Sequence, residues 1–306
     1  METGTIGNTW RAIRRNWGLY LLLLPAVILL VLFVYRPMYG IVIAFKDYRP
    51  GLGIWESEWV GLKYFQQFFN SYLFNNTIRN TIFLSLYLIF VTFPLPILMA
   101  LCINQMRTKY FRKTFQVVTY LPHFISTVVL VGILRLILSP SVGIVGNLAG
   151  LFGVDPINLF AIPTAFSHLY VWSDVWQNTG WDSIIYLAAL SAVDPALYEA
   201  ATVDGASKFQ RLRHIDVPLL IPTMITLLIL RSGNMMNIGF EKIYLMQNPM
   251  NIMHSEVLST YVYKLGLVNA QYSLSAAVSL FNNVINFGLL VTVNQISKRF
   301  SNNSLW

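Results

Sequence analysis

The sequence predicts an all-α integral membrane protein with six transmembrane helices, and three observations carry that reading. Of the 306 residues, 56% are hydrophobic and only 11% are charged, well under the roughly 25% charged residues of a soluble domain. The apolar residues gather into runs long enough to cross a hydrocarbon core, which takes about 20 residues of helix. Between those runs, Lys and Arg collect on alternate loops, the pattern that sets membrane orientation.

The runs fall at residues 17–35, 78–103, 117–138, 163–192, 218–235 and 276–293. The first can continue, as helix or extended chain, through residues 38–45. The fourth and fifth are interrupted by polar residues. Arg11, Arg14 and Arg15 precede the first run, which is longer than a signal-peptide core and has no small-x-small cleavage site after it. It therefore reads as a retained span. With the N-terminus inside, the inner segments hold twelve Lys and Arg, Arg107 among them, and the longer outer loops hold five. Both termini are then expected in the cytoplasm. The chain divides into a cytoplasmic segment at 1–16, a transmembrane domain at 17–297 and a cytoplasmic tail at 298–306.

The formal net charge is +8. Because the positive residues sit in short loops between spans, they point to orientation in a lipid bilayer, and no nucleic-acid partner is expected. Cys102 is the single cysteine, which excludes an internal disulfide and any multi-cysteine metal site. It reads as a small packing residue. His123, His168, His214 and His254 show no metal-ligand spacing. The outer loop at 46–76 carries Trp55, Trp59, Tyr64 and Tyr72, which suit an interfacial aromatic belt or a docking surface for an external partner.

The loop at 194–217, with the prolines that follow it, is the most informative stretch. Asp194 can cap a helix N-terminus, and Pro195 fits the first helical position. A short helix with small Ala200 and Ala201 follows, and Asp204-Gly205 ends it. A second helical run carries Lys208, Arg211 and Arg213, and Pro218 and Pro222 mark entry to the next span. Two short helices hinged at a glycine can insert into a groove on a partner protein. They equally suit an amphipathic interfacial helix.

Glu199-Ala200-Ala201, Gly205, Ile215 and Pro218 resemble the EAA signature of bacterial ABC importer permeases. Three further stretches resemble the MalF-type carbohydrate permeases, and especially their LplB/YteP-like polysaccharide-transport branch. They run from Pro37-Met38-Tyr39-Gly40 to Phe45-Lys46-Asp47-Tyr48, through Trp59-Val60-Gly61-Leu62, and over Tyr120-Leu121-Pro122-His123-Phe124. The resemblance covers nearly the whole chain. It implies the type I importer permease fold, with a cytoplasmic EAA coupling helix, in the bacterial cell membrane. It implies a heterodimer with a second, homologous permease subunit, two ATPase subunits, and an extracytoplasmic solute-binding protein that delivers oligosaccharides. Acidic fragments of plant or algal polysaccharides fall within that class. Coupling contacts to the ATPase are assigned to Glu199, Ala200, Ala201, Asp204 and Gly205. The chain has no phosphate-binding Gly-x-x-x-x-Gly-Lys-[Ser/Thr] motif. ATP and Mg are therefore expected on the partner ATPase, with no cofactor, metal or catalytic residue in this chain.

Polar groups inside spans are costly and usually face a cavity or a partner. At about 100° per residue, Asp174, Asn178, Trp181 and Asp182 share an arc of the fourth span, and Arg231, Asn234 and Asn237 share one of the fifth. Counted from the loop that joins those spans, Asp182 and Arg231 lie at one height and Asn178 and Asn234 at another. Asparagine amides and flat tryptophan faces suit sugars. The candidate substrate contacts are Asn178, Gly180, Trp181, Trp176, Trp172, Asn234, Asn237 and Arg231. The resemblance adds that Asn234-Met235-Met236-Asn237 and Gly180-Trp181 match sugar-contacting patterns of the family. Trp172 and Trp176 lie nearly opposite Asp174, so only one group can line a given cavity. Each asparagine also suits a hydrogen bond between helices, and Asp182 with Arg231 suits a structural ion pair. Arg231 or Arg135 could instead bind a uronate carboxylate. The competing class is an ion-gradient-driven secondary transporter using Asp174 and Asp182. No nucleophile–base set or metal cluster supports an enzyme.

Overall fold

A computed structural model describes residues 14–106 and 108–301. Arg11, Arg107 and the tail from residue 302 lie outside the described residues. Ten helices organise the chain: α1 (Trp17–Phe45), α2 (Phe74–Asn104), α3 (Lys109–Phe124), α4 (Thr127–Ile137), α5 (Ala165–Ser191), α6 (Pro195–Val203), α7 (Lys208–Gly233), α8 (Phe240–Met246), α9 (Leu258–Tyr263) and α10 (Tyr272–Ser301). Further short helices and turns, Lys63–Phe69 and Ile144–Leu151 among them, join these elements. Four of the helices (α1, α2, α7 and α10) are long and apolar enough to cross a membrane by themselves, and two bent pairs, α3 with α4 and α5 with α6, raise the number to six.

The structure decides one point that the sequence left open and departs from the expectation at two others. First, α1 stays helical through Phe45, by way of a wide turn at Val31–Tyr35 and a tight 3₁₀ segment at Tyr39–Phe45. No side chain of its Trp17–Leu30 portion is buried within the chain, so that portion is covered only by lipid or by another subunit. Second, the run at 117–138 is not one straight helix: α3 and α4 meet at 99°. Pro122 lacks an N–H and disfavours helix at the residue before it. The turn at Leu121–Phe124 is accordingly 3₁₀, Ile125 is extended, and Ser126 restarts the helix by accepting from the Val129 N–H. Third, the second half of the 194–217 loop merges into the next span. Residues Leu212–Asp216 form a π-helical turn that runs directly into Val217–Gly233. Pro218 can donate no N–H to the residue four before it, and a widened turn accommodates that loss inside a continuous helix.

Three buried clusters hold the chain together. Leu84, Val131, Phe166, Val171 and Ile243 join α2, α4, α5 and α8. Ala100, Ile103, Tyr186, Leu190 and Leu220 join α2, α5 and α7. Phe68, Leu258, Tyr261, Leu274 and Val278 seat α9 and α10 on the outer loop. Close approach is set by Gly180 of α5, where an added Cβ would stand 2.1 Å from the Thr119 carbonyl oxygen of α3. Cys102 is exposed on α2, not packed as the sequence suggested.

The outer loop carries the one strand pair among the described residues, Lys46–Asp47 against Glu58–Trp59. Lys46 is buried and donates to the carbonyls of Ile54 and Trp55 at 2.8 and 2.9 Å. Tyr64 donates to Asp47. That bond holds the Asp47 carboxyl below its ordinary value of 3.8, and burial, with the same bond, pushes the Tyr64 phenol up to about 12. Trp55, Trp59 and Tyr72 remain exposed.

A carboxyl with a lowered value stabilises the fold above its ordinary pKa and loses that contribution as pH falls through the lowered one. Tyr64→Phe is therefore expected to move the acid opening of this hairpin to higher pH. Hydrogen exchange of residues 46–59 across an acid titration measures the midpoint; an unchanged midpoint contradicts the assignment.

Candidate functional site

The central feature is a cleft of about 430 Å³ between α2, α5 and α7, lined by Asp174, Asn178, Asp182, Arg231, Asn234 and Asn237 among others. Helical spacing puts Asp174, Asn178 and Asp182 on one stripe of α5. Arg231 enters from α7, donates to Asp182 at 2.5 Å and to the Thr92 hydroxyl at 3.1 Å, and leaves both charged side chains about 30% exposed. Asp174 is paired in the same way: buried Lys242 of α8 lies 3.5 Å from it and sits over the Tyr170 ring at 4.8 Å. Each carboxylate of the cleft thus has its own cation.

The two asparagine levels are built differently. Asn178 donates to Asp174 at 3.0 Å, and its oxygen pairs with His123 Nδ1 at 2.9 Å. With the amide so oriented, the imidazole nitrogen is the donor. His123 also stacks flat on Trp181, with ring centroids 4.5 Å apart and planes within 4°. Asn234 and Asn237 do not lie on a continuing helix, so the helical arc expected for them fails at Asn237. The α-helix ends at Gly233, and residues 234–239 are turn and open chain. Asn237 donates to Asn234 at 3.3 Å, which brings the pair together by the turn instead.

An unwound segment at this depth needs partners for its backbone. Ser85 of α2 donates to the Met235 carbonyl at 2.6 Å, Asn286 of α10 accepts from the Met236 N–H at 2.9 Å, and Ser259 donates to the Ile238 carbonyl at 3.2 Å. Asn282, one turn before Asn286, donates to the Asn237 side chain at 2.6 Å. Asn282, Asn286, His123 and Lys242 are the site residues that the sequence reading missed. The signal for the first two was present: two asparagines at i and i+4 in an apolar span.

The tryptophans stand elsewhere. Trp172 and Trp176 are 54% and 52% exposed on the outward face of α5 and do not line the cleft. Trp181 is committed to His123 and Phe124. Gly180 serves the contact with Thr119 and presents no group to the cleft.

The loop at 194–217 has the local form expected of it. Asp194 accepts from the Ala196 N–H at 2.9 Å, Pro195 opens α6, and Gly205 has φ +72°. Nothing crowds a Cβ at Gly205, so its backbone, not its space, demands glycine. Ser207 and Gln210 form a capping box at the start of α7. No residue of α6 is buried. Leu197, Val203 and Phe209 expose apolar side chains there, Val203 by 88%.

A polytopic helical membrane domain with a polar central cleft and a protruding two-helix loop defines a transport permease. Residues 92–302 match the family described as binding-protein-dependent transport system inner membrane component, and the chain belongs to that family of ABC importer permeases. It is 39% identical to Protein LplB of Bacillus subtilis (strain 168), over 98% of this chain and 95% of that one. It is 41% identical to the polygalacturonan/rhamnogalacturonan transport system permease protein YteP of the same organism, over 94% and 90%. A bacterial ABC transporter involved in the import of the acidic polysaccharide alginate contains a chain of the same fold, with TM-score 0.89, 40% identity and coverage of 96% and 99%. The same transporter in complex with an alginate pentasaccharide-bound periplasmic protein also matches at TM-score 0.89.

The ion pair of the cleft ties α5 to α7. Arg231→Ala is expected to lower the stability of the protein by about 1–2 kcal/mol, the scale of polar contacts between membrane helices. Arg231→Ala with Asp182→Ala should cost less than the sum of the two single changes, because neither charge is then left alone. Thermal denaturation in detergent of all four proteins measures the coupling; additive losses contradict it.

Proposed function

We propose that this chain is one permease of a heterodimer that imports oligosaccharides, delivered by an extracytoplasmic binding protein and driven by two ATPase subunits that bind ATP and Mg. The permease itself carries out no hydrolysis. Both termini and the 194–217 loop lie in the cytoplasm of a bacterial cell. The observation that carries the reading is the exposed α6 with its left-handed Gly205 hinge, because such a loop serves a docking partner and not the packing of its own chain. Glu199 and Ala200 are exposed and Ala201 is half-buried. With Asp204 and Gly205 they form the face offered to the ATPase.

Sugar contact is assigned to Asn178, Asn234 and Asn237, which turn amides toward the cleft. Trp181, committed to His123 and Phe124, aligns the imidazole that holds Asn178. Trp172 and Trp176 are better placed for the second permease or for lipid. An ion-driven carrier would use Asp174 and Asp182 as titrating sites, and their pairing with Lys242 and Arg231 argues against that use.

The name of YteP and the alginate neighbours favour acidic saccharides. Arg231 is neutralised by Asp182, so it is a poor receptor for a uronate. Arg135 is exposed, donates to the Leu245 carbonyl and lies over the Phe160 ring at 5.6 Å. Among the described residues it has no carboxylate partner. A planar guanidinium with unused donors suits a carboxylate, and Arg135 is the residue to which we assign acidic groups. Arg135→Gln is expected to reduce uptake of acidic oligosaccharides at least tenfold and to spare neutral ones. Equal loss of both removes the assignment.

The function is tested by purifying the tagged complex and measuring its ATP hydrolysis with sugar-loaded binding protein. Hydrolysis should rise on addition of the loaded receptor, and uptake should vanish when the ATPase is deleted. Gly205→Pro cannot adopt a positive φ. It should abolish that stimulation while leaving the permease in the membrane. Wild-type stimulation in Gly205→Pro, or uptake without the ATPase, sinks the proposal.

A further inference from the structure

The coupling loop has two ends that bend. At one, α5 and α6 meet at 72° through Ala192 to Asp194. At the other, Gly205 holds a left-handed turn. Between these bends α6 buries no residue that would fix it by packing. A displacement of α6 by a docked partner would then be absorbed at the joints unless a side chain carries it across.

Among the described residues, the side-chain bonds that tie α6 beyond its own N-cap are few. Thr202 accepts from Arg211 at 3.1 Å, but that bond only spans the loop itself and is exposed. The other is of a different kind. Tyr198 donates to Asp216 Oδ1 at 2.5 Å, and Gln105 donates to Asp216 Oδ2 at 3.1 Å. Asp216 is wholly buried, and it sits on the π-helical turn that leads into the cleft-bearing part of α7. Asn104 and Gln105 end α2, whose Ser85 supports the unwound segment at 234–237. One carboxylate thus joins the coupling helix to α7 and α2, two of the three helices that frame the cleft. A cation within salt-bridge distance is not among its partners in the described residues, so its two oxygens depend on these neutral donors. The hydrogen bond to Asp216 and burial push the Tyr198 phenol up to about 12, burial being the larger cause.

We propose that Tyr198, Asp216 and Gln105 form a strut that transmits motion of the coupling helix to α7 and α2. They act as positioning residues, making the movement of the docked helix felt at the cleft. The strut rests on the importer reading given above. It adds to the EAA residues a side-chain connection into the body of the permease.

The test uses the whole transporter in proteoliposomes with its binding protein and records sugar imported per ATP hydrolysed, normalised to assembled complex. Tyr198→Phe keeps the ring and removes the donor. Asp216→Leu keeps the approximate size and removes both acceptor oxygens. In each single variant ATP hydrolysis should continue and the ratio should fall at least fivefold. The double variant should be no worse than the weaker single one, since either change breaks the same connection. A normal ratio in the assembled fraction, even where less complex assembles, overturns the strut and leaves Asp216 a folding residue. Additive losses in the double variant also overturn it. If the wild-type complex shows no receptor-stimulated hydrolysis, the importer reading itself fails; if the wild type couples and the variants couple equally well, only the strut fails.

Discussion

A hydrocarbon environment offers no hydrogen-bond partner to a broken helix, and that constraint shapes the cleft of this permease. Where the chain departs from helix, a side chain from another span takes up the freed backbone group. Gln177 donates to the Ile125 carbonyl at the bend between α3 and α4 at 2.8 Å. Ser85, Asn286 and Ser259 do the same for residues 235–238. Arg135 serves the Leu245 carbonyl. The breaks are what open a cleft, and the polar residues that repair them are what surround it.

Charge obeys the same rule. Asp174 and Asp182 would each be costly alone among apolar helices, and each has a cation from a different element. The cleft is therefore polar without net charge from these four groups.

Much of the site's local chemistry was legible in the sequence. Hydropathy placed the spans, since about 20 apolar residues have few other uses. The loop at 194–217 was readable almost residue by residue, because caps, a first-turn proline and a left-handed glycine act within a few positions. The height match of Asp182 and Arg231 also followed from counting along helices. The miss at Asn237 came from assuming that α7 continues past Gly233. Nothing local forbids that helix; it ends because α2, α9 and α10 offer its backbone other partners.

By itself the sequence determined that the chain is a helical membrane protein with a hinged loop before its fifth span, because those features rest on composition and on rules that operate over one or two turns. It determined which faces of α5 differ, but not where each face looks. Periodicity fixes relative angles only, and so Trp172 and Trp176 could be set apart from Asp174 without being placed. Tertiary structure alone decided that Asp174 meets Lys242, that His123 aligns both Asn178 and Trp181, and that Asp216 receives Tyr198 and Gln105. Those partners are 68, 55 and 58, 18 and 111 residues apart, and only the packing of whole helices brings such distant groups within the reach of a hydrogen bond.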